Sequence, residues 1–116
     1  MIIHAYILRY INIQKQHKNI KYLLTLLNLE LMSSSWILLN GQYTIGRLSN
    51  HQIILDDITV SRNHASIDIN NEKVKITDNN STNGIYVNDN LIANDAIIKS
   101  GDKLQIGKFQ LLFTKV

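Results

Sequence analysis

The chain of 116 residues contains neither cysteine nor proline. Without thiols it can form no disulfide and no thiolate metal site, so it needs no oxidising compartment and a cytoplasmic location is expected. Without proline, its turns depend on asparagine and glycine, which tolerate the left-handed backbone of tight turns. A hydrophobic fraction of 45% with 18% charged residues nevertheless predicts a packed core and argues against general disorder.

An excess of charge of one sign is missing from most of the chain. The formal net charge is +3, yet residues 32–116 carry eight basic and eight acidic side chains and are formally neutral. Binding to nucleic acid by counterion release uses a broad basic face, so nucleic acid is not expected as a partner. The four histidines are scattered, and Asp56-Asp57 lacks the ligand spacing of a calcium loop. No metal and no other cofactor is therefore expected.

Long apolar runs are also missing. Charged residues interrupt every run before it reaches the roughly 18 residues that a spanning helix needs, so no membrane association is expected. Residues 1–31 place apolar side chains at helix-like steps and predict an N-terminal extension that is helical or disordered. Because Met32 precedes a serine run, we hypothesise that native translation starts there. One domain is then expected at residues 32–116.

From Trp36 onward the apolar spacing is close to period two and is interrupted by turn residues. This pattern predicts an all-β fold, an antiparallel β-sandwich. Asn40-Gly41 lies between two short apolar runs and predicts a first hairpin that leads into Gly46-Arg47. Further strands are expected at residues 53–55, 64–68, 73–77, 85–87, 91–92, 103–106 and 109–114.

Three short polar clusters separate these strands: Gly46-Arg47, Ser61-Arg62-Asn63-His64 and Asn80-Ser81-Thr82-Asn83-Gly84. Each cluster should lie on a loop at a strand end, where a rigid scaffold presents binding side chains. A phosphate dianion is bound well by a guanidinium fork, hydroxyl donors and backbone N–H groups that are fixed in advance. The clusters supply these groups, so a phosphate-binding pocket is expected.

The clusters and their order resemble the forkhead-associated (FHA) domain, a family of phosphothreonine-peptide readers. The family pattern is GR, then SRxH, then a serine- or threonine-rich turn that ends in NG. The resemblance extends over roughly residues 36–116 and includes the closing stretch Ser100-Gly101-Asp102-Lys103-Leu104-Gln105-Ile106-Gly107. The sequence departs from the family at Asp89, where a glycine is usual.

By this resemblance, Arg47 and Ser61 hold the phosphate, and Arg62 and Thr82 assist them. Asn83 clamps the backbone of the bound peptide. Structural support of the site falls to Gly46, His64 and Gly84. The implied function is a phosphothreonine-dependent adaptor in serine/threonine kinase signalling, and the implied partner is a phosphothreonine-containing protein such as a kinase or its substrate. The oligomeric state is left open.

Two other functions are compatible with some of the same residues. Asp57, Ser61 and His64 have the residue types of a hydrolytic triad, but no glycine-flanked nucleophile elbow accompanies them, so the chain is not expected to be an enzyme. The alternative that stays open is a phosphate-independent interaction or dimerisation module on the same sandwich. The two binding functions differ in whether they require Arg47.

Overall fold

The computed structural model describes residues 20–27 and 34–116, which form eleven strands and no helix. The strands are β1 (Tyr22–Leu26), β2 (Ser35–Leu38), β3 (Gly41–Gly46), β4 (Ile53–Ile54), β5 (Ala65–Asn70), β6 (Lys73–Asp78), β7 (Ile85–Val87), β8 (Asn90–Leu91), β9 (Asp95–Ile98), β10 (Lys103–Ile106) and β11 (Phe109–Lys115). Over these residues, no helix has the length and apolarity needed to cross a membrane.

The strands form two sheets. A six-stranded sheet has the order β2-β1-β11-β10-β7-β8, and a five-stranded sheet has the order β4-β3-β5-β6-β9. Neighbouring strands are antiparallel, except that β3 and β4 pair in parallel. The predicted all-β sandwich is confirmed, with this one parallel pair as a difference.

The hydrophobic core lies between the sheets and follows the alternation of the strands. In β11, Phe109, Leu111 and Phe113 point inward, and their neighbours are only partly buried. The Tyr22 ring stacks on the Phe113 ring with centroids 4.9 Å apart. Each fully buried aliphatic or aromatic side chain contributes roughly 1.5–3 kcal/mol, so the period-two pattern determines which face of each strand is buried.

The expectation of a helical or disordered segment over residues 1–31 is wrong for residues 22–26. They form β1, which lies between β2 and β11 in the six-stranded sheet. Tyr22, Leu24 and Leu26 are buried, whereas the two residues between them are only partly buried. The helix-like spacing was misleading because a short apolar run fits a helix and a strand equally well. Residues 1–19 and 28–31 lie outside the described residues.

The predicted hairpin at Asn40-Gly41 is also wrong. The two flanking segments are strands, but β2 pairs with β1 in one sheet and β3 pairs with β5 in the other. Asn40 instead contacts the β5–β6 turn, where its side chain bonds both the backbone N–H and the side chain of Asn71. Strand β9, which the sequence pattern did not predict, pairs with β6 at the edge of the five-stranded sheet.

The asparagine-based turns expected from the lack of proline are present. Asn71 turns β5 into β6 with φ 56°, and Asn88 and Asp89 turn β7 into β8 with φ 49° and 68°. Asp89 therefore adopts the left-handed backbone for which the family usually has glycine. Aspartate tolerates this conformation better than most residues, so the departure preserves the turn.

Candidate functional site

The three polar clusters meet at one end of the sandwich because of the register of three strands. Ala65, at the start of β5, pairs with Ile45 near the end of β3 and with Asp78 at the end of β6. The loops that follow β3, precede β5 and follow β6 therefore leave the five-stranded sheet side by side. Residues that are far apart in sequence thus come together in one corner.

His64 connects the second cluster to the third. Its side chain is buried, its Nδ1 accepts a hydrogen bond of 3.0 Å from the Ser61 N–H, and its Nε2 lies 2.8 Å from the Gly84 carbonyl oxygen. A carbonyl only accepts, so Nε2 carries the hydrogen and the ring is held in one neutral tautomer. This imidazole fixes the distance between the two loops.

Arg47 and Thr82 converge on Ser61 from either side. The Arg47 N–H donates to the Ser61 carbonyl at 3.1 Å, and Arg47 Nε donates to the Val60 carbonyl at 3.1 Å. The Thr82 N–H donates to Ser61 Oγ at 3.0 Å. Since that oxygen accepts, its own hydrogen is available to donate to an anion. Arg47 Nε is thereby held at the carbonyl of residue 60, and the hydroxyl of the next residue is held by the Thr82 N–H.

Asn83 and Arg62 lie at the exposed edge of this corner. Asn83 Nδ2 donates to the Thr59 carbonyl at 2.9 Å, which anchors one end of the side-chain amide. The Arg62 carbonyl accepts a hydrogen bond of 2.7 Å from His51 Nε2. Arg62 thus contributes its backbone to the framework of the β3–β4 loop, and its side chain is exposed.

Two glycines are required around the corner, Gly46 by close packing and Gly84 by its left-handed backbone conformation. A Cβ at Gly46 would overlap the Arg62 carbonyl oxygen and the His51 ring. Gly84 has φ 78°, and a Cβ there would lie 2.6 Å from Leu91 Cδ1. The GR and NG pairs therefore serve the local backbone as well as the side chains that they position.

A second set of contacts, which the sequence did not predict, is centred on Thr59. Asp57 Oδ2 accepts from the Thr59 N–H at 2.9 Å and from Thr59 Oγ1 at 2.6 Å. Asp57 Oδ1 lies 3.0 Å from Lys108 Nζ. The Asp-x-Thr spacing is a signal for such a local turn. The participation of Lys108 has no sequence signal, because Lys108 lies on the β10–β11 turn, far along the chain.

A surface groove of about 340 Å³ adjoins Asn83. Its lining comes from three loops and the six-stranded sheet: Thr59, Asn83, Gly84, Tyr86, Gln105, Gly107 and Lys108. The groove continues the polar corner, so an extended chain bound at Ser61 could pass from one into the other.

Asp57 gives the site a stability that depends on pH. The two hydrogen bonds from Thr59 and the nearby Lys108 ammonium lower the pKa of the Asp57 carboxyl from 3.8 to about 2. Because this pKa is lower in the folded protein than in the unfolded chain, the ionised carboxylate stabilises the fold at any pH above the unfolded-state pKa. This stabilisation is lost as the pH falls through the folded-state pKa. We expect Asp57→Asn to lower the urea midpoint at pH 6, and the difference from wild type to shrink between pH 4 and 2. A difference that stays constant over this range would contradict the assignment.

A family model described as the FHA domain matches residues 43–107, which include all three polar clusters. The chain belongs to the FHA domain family. The oxoglutarate dehydrogenase inhibitor of Corynebacterium efficiens is 46% identical over 70 residues, which cover 60% of this chain and 49% of that protein. The glycogen accumulation regulator GarA of Mycobacterium tuberculosis is 44% identical over 68 residues, which cover 59% of this chain and 41% of that protein. The chain thus spans less than half the length of these relatives.

Solved FHA structures share the fold. The FHA domain of the CT664 protein from Chlamydia trachomatis superposes with a TM-score of 0.77 at 27% identity, covering 81% of this chain and 96% of that one. An FHA domain from an analysis of phosphothreonine-dependent FHA interactions superposes with a TM-score of 0.74 at 28% identity. This match covers 81% of this chain and 95% of that one. Both matches extend well beyond the 43–107 segment.

Proposed function

We propose that this FHA domain binds phosphothreonine in an extended peptide and acts as a non-catalytic adaptor. The observation that carries the proposal is the convergence of Arg47 and the Thr82 N–H on Ser61, organised by His64. These groups are held by the fold before any ligand arrives. Binding therefore costs little rearrangement of the protein.

The chemistry of the corner suits a dianion. The Arg47 guanidinium supplies a fixed positive fork, and the Ser61 hydroxyl supplies a donor beside it. The Arg62 and Thr82 side chains extend this set at the exposed rim. Asn83 would clamp the peptide backbone, while Gly46, His64 and Gly84 maintain the loops. A phosphate so held is bound by charge-assisted hydrogen bonds and undergoes no reaction.

The choice of threonine over serine would depend on one methyl group. Burying a methyl contributes about 1 kcal/mol, so phosphoserine should bind roughly fivefold more weakly. A solved neighbour was studied for phosphothreonine-dependent interactions, which supports the same ligand class here. We propose a phosphorylated kinase or kinase substrate as the partner. Because threonine phosphorylation consumes ATP, we propose that the domain binds its phosphorylated partner in the cytoplasm.

Titration calorimetry with matched peptides tests the proposal. One peptide is prepared with threonine, phosphothreonine or phosphoserine at the same position. We expect the unphosphorylated peptide to bind at least a hundredfold more weakly than the phosphothreonine peptide, because it lacks every charge-assisted bond. Equal binding of the first two peptides would overturn the proposed function.

The pH dependence gives a second readout of the same interaction. The second pKa of a phosphate monoester is about 6, so the ligand loses one negative charge as the pH falls below that value. We expect the affinity for the phosphothreonine peptide to weaken below about pH 6. A flat affinity profile between about pH 5 and 7.5 would contradict recognition of the dianion.

A further inference from the structure

We propose that Asp57, Thr59 and Lys108 are positioning residues that set the orientation of Asn83 and Arg47 for the bound peptide. This inference deepens the proposed function and rests on it. None of the three residues carries a role in the FHA pattern described above. The Thr59 carbonyl nevertheless accepts a hydrogen bond from Asn83, and the next carbonyl accepts one from Arg47.

The backbone of residues 59–61 is bonded to both Asn83 and Arg47. Its three successive carbonyls each accept a hydrogen bond from a residue of the site. The Thr59 carbonyl accepts from Asn83 Nδ2 at 2.9 Å, and the Val60 and Ser61 carbonyls accept from Arg47 Nε and Arg47 N at 3.1 Å each. The path of this segment therefore sets where both side chains can point.

That segment is held in place at Thr59 by Asp57 and Lys108. The Asp57 carboxylate fixes Thr59 through its N–H and its hydroxyl, at 2.9 and 2.6 Å. Thr59 Oγ1 in turn accepts from the Lys108 N–H at 2.9 Å, and Lys108 Nζ reaches Asp57 Oδ1 at 3.0 Å. Each polar atom of the Thr59 side chain and the Asp57 carboxylate is thereby used in one closed set of bonds.

This set of bonds is attached to the β10–β11 turn through Lys108. Gly107 has φ 58°, and a Cβ there would lie 2.5 Å from Thr59 Oγ1 and 2.8 Å from the Thr59 carbonyl oxygen. The turn therefore packs directly against Thr59. It connects two strands of the six-stranded sheet, whereas Arg47 and Ser61 flank strands of the five-stranded sheet. Thr59 thus joins the two sheets at the binding end.

The central test is a double-mutant cycle between Thr59 and Asn83. Thr59→Val keeps the shape of the side chain and removes its hydroxyl. We expect it to weaken phosphothreonine-peptide binding about tenfold, the effect of roughly one hydrogen bond. If Thr59 acts partly through Asn83, the loss of affinity caused by Thr59→Val should be smaller in an Asn83→Ala background than in the wild-type protein. Additive losses would overturn the proposal.

Two further measurements separate positioning from a general loss of stability. Thr59→Ser retains the hydroxyl and should restore affinity to within about threefold of wild type, a loss smaller than that of one hydrogen bond. The side-chain amide resonances of Asn83 should shift in Thr59→Val without ligand, since their acceptor has moved. Unchanged resonances together with unchanged affinity would contradict the inference.

A matched ion-pair control lies at the other end of the sandwich. Lys115 Nζ pairs with Glu72 Oε1 at 3.1 Å, close to the 3.0 Å of the Lys108–Asp57 pair. We expect Lys108→Met to weaken peptide binding and Lys115→Met to leave it unchanged. Equal effects would assign the loss to net charge and overturn the positioning role. Failure of the wild-type protein to bind any phosphothreonine peptide would instead contradict the proposed function itself.

Discussion

Arg47→Ala is expected to weaken phosphothreonine-peptide binding by more than a hundredfold while leaving the fold intact. Truncating one partner of a desolvated, hydrogen-bonded charge pair costs roughly 2–5 kcal/mol. The backbone N–H of residue 47 would still bond the Ser61 carbonyl, so the loop should keep its path. Calorimetry measures the affinity, and urea unfolding checks that the variant is folded.

Two control variants make the result specific. Arg47→Lys keeps the charge but loses the planar fork and the Nε bond to Val60, so we expect it to recover only part of the affinity. Lys73→Ala removes one positive charge at the start of β6, the end of that strand away from the site. It should bind as wild type does. If Arg47→Ala binds the phosphopeptide normally, the alternative of a phosphate-independent interaction module on the same sandwich is favoured.

Removing β1 is expected to abolish folding. A chain of residues 32–116 would lack Tyr22, Leu24 and Leu26, all of which are buried. Each contributes roughly 1.5–3 kcal/mol, and together they approach the whole stability of a small domain, about 5–15 kcal/mol. The loss would also separate β2 from β11, since β1 pairs with both. Near-ultraviolet circular dichroism and urea unfolding measure the effect.

The matched control is a chain of residues 20–116, which keeps every described strand. We expect it to unfold cooperatively and to bind the phosphopeptide. Cooperative unfolding of residues 32–116 at an unchanged midpoint would show that β1 is dispensable. The hypothesis of a native start at Met32 stays a prediction, and it requires that residues 32–116 fold without β1. We propose instead that the domain includes residues 20–27.

The sequence predicted most strands after residue 41 because their apolar residues alternate and their turns are marked by asparagine and glycine. The β5–β6 and β10–β11 hairpins show this, since each joins strands that are neighbours along the chain. The pairing of β1 with β11 joins residues more than 80 positions apart. A short apolar segment does not specify such a partner, so β1 was misassigned and β2 was paired with the wrong strand.

For the site, the amino-acid sequence by itself determined which chemical groups are present: a guanidinium, hydroxyls and an amide in an order typical of one family. Only the tertiary structure decided how they are held. The hydrogen bonds to the carbonyls of residues 59–61 form only because two sheets meet at one end of the sandwich. The same is true of the bonds that link Asp57 through Thr59 to Lys108. Contacts between sheets produce no periodic pattern in a sequence. The alternation of apolar and polar residues reflects burial within each strand and does not depend on which loop a side chain contacts.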